Sequence, residues 1–149
     1  MKILNSLILS ILILLSSTIA ASEIGFIDTD LIFQKAKFVQ TFRENFTEKE
    51  KDFNEILQKK SKKIEEAIAK GKPEDEIREL VKKRDTELEP KKKELMQYEI
   101  SFRQNFLLNV TTTAKKVAEE YKIDVVLDKQ VIYHGGYDLT DLVLNQLNK

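Results

Sequence analysis

Few side chains in this sequence have the type and spacing that catalysis needs. His134 is the single histidine and stands beside Gly135-Gly136. No nucleophile accompanies it along the chain, so it reads as a strand-end residue and not as a general base. Asp28-Thr29-Asp30 has the look of a paired-carboxylate cation site, but carboxylates at that place also cap a helix, and capping explains them. Asp124 and Asp128 flank an apolar run and fit a strand edge or turn better than an acid/base pair. Gly71-Lys72 lacks both the preceding glycine and the following Ser or Thr of a phosphate-cradling loop. Asn45-Phe46-Thr47 and Asn109-Val110-Thr111 match a glycosylation sequon by chance, since both fall within helical pattern. The sequence therefore predicts neither an enzyme nor a bound cofactor or metal. With no cysteine, it also has no disulfide to stabilise it.

Chemistry being absent, the information lies in the elements. The first residues carry one charge, Lys2, then an apolar run from Leu7, then Ser16-Ser17-Thr18-Ile19-Ala20-Ala21. A basic start, a short apolar stretch and a small-residue exit make residues 1–21 a secretory signal peptide, cut after Ala20 or Ala21. The apolar run is too short for a spanning helix, and no cysteine follows it to carry a lipid. The mature chain is expected in an exported compartment.

From Leu31 the apolar residues keep a helical beat. Phe42/Phe46, Phe53/Leu57 and Ile64/Ile68 are pairs four apart that recur every 11 residues, the repeat of a nearly straight helix. One narrow apolar stripe surrounded by Lys and Glu has to lie along a partner helix. Gly71-Lys72-Pro73 ends this helix, and Glu74-Asp75-Glu76 suits the start of another. Val81, Leu88, Leu95 and Phe102 follow at sevens, the timing of a coiled coil. Residues 31–121 thus form an antiparallel hairpin with its turn at 71–73. Folding at that turn pairs Ile68 with Ile77, Ile64 with Val81 and Leu57 with Leu88. The pattern then slips by three, to Phe53 with Leu95, Phe46 with Phe102 and Phe42 with Phe106. The slip falls at Pro90, where a bend opposite Asn54 is expected.

Beyond Tyr121 the pattern becomes strand-like. Asp124 to Asp128 and Val131 to His134 read as a β-hairpin turning at Lys129-Gln130. Thr140 is placed to cap a last short helix. With Ile24 to Asp28 these pieces, residues 22–30 and 122–149, make a small β body at the root of the arm. A body that small needs outside support, and oligomerisation is the device left to it. The fold class is α+β, mainly α: a long helical arm projecting from a small β body that oligomerises.

A signal peptide, Ile24-Gly25-Phe26-Ile27-Asp28, a charged helical hairpin, Tyr121-Lys122-Ile123-Asp124-Val125-Val126-Leu127-Asp128-Lys129 and Asp138-Leu139-Thr140-Asp141-Leu142-Val143 together resemble the Skp (OmpH) family over the whole mature chain. The resemblance implies a periplasmic homotrimer whose three arms enclose a cavity. There it would hold unfolded outer-membrane proteins without ATP. The chain departs from the family pattern in two ways. Tyr121-Lys122-Ile123 stands where a glycine is common, and the mature protein lacks the strongly basic balance of the best-known members.

Candidate contacts follow from these readings. Phe38, Met96, Ile100 and Leu107 fall off the seam and are the candidates for client binding. The basic excess of the arm lies toward its tip, in Lys59, Lys60, Lys62, Lys63, Lys82, Lys83 and Arg84 with Lys91-Lys92-Lys93. Those residues could meet anionic lipid or steer acidic clients, or could simply solvate the helices. Pro90 is the candidate hinge. Nucleic acid is not an expected partner. The alternative to a holdase is a coiled-coil spacer linking components of the cell envelope.

Overall fold

The computed structural model describes residues 22–149; the signal-peptide assignment lies outside them. The chain opens with strand β1, Ile24–Ile27, and a seven-residue helix α1, Thr29–Lys35. Asp28 starts α1 by accepting the Leu31 N–H at 2.9 Å, which satisfies a free donor of the first turn. The helix expected from Leu31 to Lys70 is in fact two. Ala36, buried and extended at φ −68° and ψ 131°, separates α1 from α2, Lys37–Ala69. Nothing in the composition marks this break, because neither Gly nor Pro makes it.

At the arm's far end Gly71 takes φ 66°, the left-handed turn that glycine adopts without steric cost. Pro73 precedes the next helix as its cap residue, and α3 runs Glu74–Tyr121 over 48 residues. At about 1.5 Å per residue that is roughly 70 Å. Helix α3 continues through Pro90 without interruption, although the ring leaves the Thr86 carbonyl without its usual donor. It ends at Lys122, which takes the left-handed conformation at φ 59°, while Ile123 N–H returns to the Ala118 carbonyl at 2.9 Å. This is the glycine-type helix stop built with a lysine.

Strand β2, Val125–Asp128, a 3-10 turn at Lys129–Val131, a two-residue strand β3, Tyr137–Asp138, and helix α4, Thr140–Leu147, complete the chain. The sheet order is β2-β1-β3 and both pairings are parallel, with Gly25 opposite Val126 and Tyr137. The expected hairpin is therefore absent. The Asp128 carboxylate accepts the Gln130 N–H at 2.9 Å and winds the chain into the 3-10 turn, away from a return path beside β2. Tyr133 and His134 end up on an exposed loop. Thr140 does not cap α4 either. Its own N–H is held by Asp138 at 2.9 Å, and its hydroxyl accepts the Asp28 N–H at 2.9 Å.

The core sits where arm and body meet. Ile27, Ile32, Ala36, Val39, Val110, Ala114, Val117, Ile123, Leu139 and Val143 form one buried cluster. Helix α3 thus runs unbroken from the tip into this core, whereas the other leg of the arm enters it across the joint at Ala36.

Candidate functional site

The arm's seam at its root is aromatic. Phe42 stacks on Phe102 with ring centroids 3.7 Å apart and on Tyr98 at 5.1 Å, and Phe46 also stacks on Tyr98 at 6.5 Å. The expected slip in register, which put Phe46 against Phe102 and Phe42 against Phe106, is not present. Tyr98, Phe102 and Phe106 climb α3 in steps of four opposite Phe46, Phe42 and Phe38. Proline removes a hydrogen bond without adding residues, so it gives no reason for a slip. Tyr98 is absent from the sequence pattern because it falls between Leu95 and Phe102, outside the spacing of seven. Its steps of four back from Phe102 and Phe106 were the available signal.

Phe38 joins this cluster. It is half-buried, with its ring 6.0 Å from Phe106 and 6.3 Å from Phe102, so it packs inside the seam and not off it. Phe33, which no pattern had flagged, meets Phe106 edge-on at 5.4 Å, and the Arg43 guanidinium covers it at 4.9 Å. The other three candidates face outward on α3: Met96 is 55%, Ile100 47% and Leu107 64% exposed, with Leu108 beside them. Their spacing of four and seven places Met96, Ile100 and Leu107 on one helical face. On α2 the exposed large apolar side chain is Ile68, at the tip. The apolar wall of the arm is therefore one-sided and belongs to the root half of α3.

Leu107 also opens into a groove of about 530 Å³ between α3 and β2, lined by Val110, Ala114, Ile123, Val126 and Leu127 among others. Around the body, Ile24, Val125, Leu127, Val131 and Tyr137 are exposed, and Tyr133 is fully so. A monomer rarely leaves this much apolar surface in one region uncovered.

The carboxylates have structural partners. Asp28 accepts from Leu31 and from the Lys129 ammonium at 2.8 Å. The Lys129 bond, and then the Leu31 N–H, hold its carboxyl below the ordinary value of 3.8, and Lys129 is raised in return. Thr29 donates to Asp128, and Asp30 accepts from Gln130 at 3.0 Å. Asp28, Asp30 and Asp128 thus tie β1 and α1 to the end of β2. Among the described residues no cluster of three or more metal-ligating side chains occurs. His134 is exposed on its loop.

Along the arm, Lys49 bonds Glu94 and Lys60 bonds Glu87 across the two helices. Lys60 is thereby engaged in the hairpin, and Arg84 pairs with Asp85 at 2.8 Å. Lys59, Lys62, Lys63, Lys82 and Lys83 lie around the same outer half, all exposed. Pro90 is exposed on the back of α3. Among the described residues no helix is long and apolar enough to cross a membrane.

The model of one protein family, described as outer membrane protein (OmpH-like), matches residues 23–147. The chain belongs to the OmpH-like family. This is a family of periplasmic chaperones of outer-membrane proteins and not of enzymes. No curated protein matches the chain. The OmpH-like match covers both ends of the body as well as the arm, so the hairpin and its β root are one family unit.

Proposed function

We propose that this OmpH-like protein is an ATP-independent holdase of the periplasm. It keeps unfolded outer-membrane proteins from aggregating in a cavity between helical arms. The observation that carries the reading is the one-sided apolar wall of α3. Met96, Ile100 and Leu107 stand exposed on one face of the helix, with Leu108 beside them, and among the described residues nothing covers them. Such a stripe offers weak, non-directional contacts, each worth about 1–2 kcal/mol when buried. Several acting together on one tethered chain hold it without any one being strong. The charged outer half of the arm keeps the loaded complex in solution, and release follows from the deeper free-energy well of the client folded in its membrane.

The cavity requires more than one arm, and the body supports that. Its exposed Ile24, Val125, Leu127 and Tyr137 and the groove beside β2 suit burial against further copies of the chain. A homo-oligomer, with three arms in the family manner, encloses the client. The basic outer half of the arms would then meet anionic lipid headgroups as the complex reaches a membrane.

The test is aggregation of a urea-unfolded outer-membrane barrel protein on dilution, followed by light scattering without nucleotide. Wild-type protein should suppress scattering at about one oligomer per client. The triple variant Met96→Ser, Ile100→Ser, Leu107→Ser should fold with the same helicity and lose most of that suppression. If the folded wild-type protein left aggregation unchanged, the holdase reading would fail and an envelope spacer would take its place.

A further inference from the structure

The two legs of the arm meet the body differently. Helix α3 enters the core as a continuous rod, with Val110, Ala114, Val117 and Ala118 all buried. Helix α2 begins afresh after the joint at Ala36, and its start is poorly equipped to stand alone. Ala36 supplies no side-chain cap, and the first turn has no acidic residue and opens with Lys37. The positive end of a 33-residue helix thus carries a further positive charge, which is unfavourable.

The missing cap comes from the other end of the chain. Asn148 Oδ1 accepts the Lys37 backbone N–H at 2.8 Å, and the Asn148 carbonyl accepts the Lys37 ammonium at 3.1 Å. Asn148 is itself the residue that ends α4, its N–H returning to the Leu144 carbonyl at 3.1 Å. One residue therefore satisfies a free donor at the head of α2. It also places the Lys37 charge at the negative tail of α4, where a cation is favoured. Val143 and Leu144 anchor α4 in the core against α3, so the tie runs from the body to the jointed leg.

We propose that Asn148 is a latch on the jointed leg: bound to Lys37 it fixes where α2 starts, and released it lets α2 shift at Ala36 and the arm change its angle. Any bending of the rod α3 requires its partner leg to lengthen or shorten by sliding. Ala36 is the break in that leg at which such movement would start; its burial with Val39 holds the joint from the core side, and the Asn148 bonds hold it from the surface. Both bonds lie at the exposed surface, so water can replace them readily and the latch opens at low cost. The proposal serves the chaperone reading, because a cavity that fits clients of different size needs arms of adjustable angle. Its test involves no client, so either idea can fail without the other.

The chain lacks cysteine, which permits spin labels at two introduced sites, Lys63→Cys near the tip and Asp141→Cys on α4. Labelled chains diluted into unlabelled ones report distances within one chain. Asn148→Ala should broaden that distance distribution and speed amide exchange at Lys37, Val39 and Gln40 by about tenfold, the usual loss for a missing cap. Asn148→Asp, which keeps the acceptor, should behave as wild type. The proposal is overturned if Asn148→Ala leaves the distances unchanged. It is equally overturned if exchange rises as much in β1 as at the head of α2, since Asn148 would then stabilise the body and latch nothing.

Discussion

Gly25 offers a direct test of how the body is packed. It is buried in the central strand, and a Cβ there would lie 2.7 Å from Leu139 Cδ1 and 3.1 Å from Ile123 Cγ2. Carbon atoms prefer about 3.5–4.0 Å, so Gly25→Ala forces Leu139 to move. Leu139 has little room to do so. It is 3% exposed, and its N–H is bonded to the Phe26 carbonyl at 2.8 Å. Overpacking of this kind costs about 1–3 kcal/mol. The alanine recovers about 0.4–1 kcal/mol by restricting the unfolded chain. The net loss should be about 1–2 kcal/mol, read as a fall in the urea midpoint by far-UV circular dichroism at fixed protein concentration. Leu139→Ala alone should cost about 2–5 kcal/mol through the cavity it leaves. Combined, the two changes should be less damaging than their sum by about 1 kcal/mol or more, because the new methyl occupies space that Leu139 vacated. A neutral Gly25→Ala, or a pair additive within about 0.5 kcal/mol, would refute this account of β1 lying flat against Leu139.

Four further outcomes are expected. Lys122→Gly should stabilise the protein by about 1 kcal/mol, since Lys122 holds φ 59° where a side chain is penalised; thermal melting would show it, and a lowered midpoint would deny the left-handed stop. A double-mutant cycle on Phe42 and Phe102, 3.7 Å apart, should give a coupling of about 1 kcal/mol, while the same cycle on Phe46 and Phe102 should be close to additive. Pro90→Ala should supply the Thr86 carbonyl with its donor and narrow the tip-to-body distance distribution; an unchanged distribution would remove Pro90 as a hinge. The Asp28 carboxyl is depressed by its Lys129 and Leu31 bonds, so its contribution is present above 3.8 and is lost as pH falls through the lower folded value. Lys129, being raised, loses its share only as pH climbs past 10.5. Asp28→Asn should therefore flatten the acid limb of the stability-against-pH curve, and equal acid limbs would show that the pair contributes nothing.

The arm was legible because a narrow stripe repeated over many turns leaves few alternatives: Phe42, Phe46, Ile64 and Val81 could only be a seam, and Gly71 only its turn. What stayed hidden depended on partners distant in sequence. Ala36 breaks a helix without Gly or Pro because Asn148 and the buried cluster accept the chain's new direction. Val131 to His134 had strand character by residue type, yet the Asp128–Gln130 bond turns the chain away from the outer edge of β2. Tyr98 lies outside the spacing of seven, although its ring stacks as a phenylalanine would. Of the client candidates, the pattern separated Met96, Ile100 and Leu107 from the seam correctly as to exposure. It put Phe38 off the seam, whereas its ring packs beside Phe102 and Phe106.

The parallel sheet sets an order of events for the newly made chain. Strand β1 emerges first, and its partner at Val125 follows about a hundred residues later; the Glu23–Asp124 bond spans a separation of 101. Closing so long a loop at random is entropically costly and slow. The hairpin removes that difficulty. Contacts around Gly71 are local and form as soon as both helices have emerged, and each further turn of zipping brings the two termini nearer. When Phe42 reaches Phe102 the search for β1 by β2 has become a local one. The body is thus the last to form, and a chain truncated before Val125 would display a finished arm with an unpaired strand at its foot.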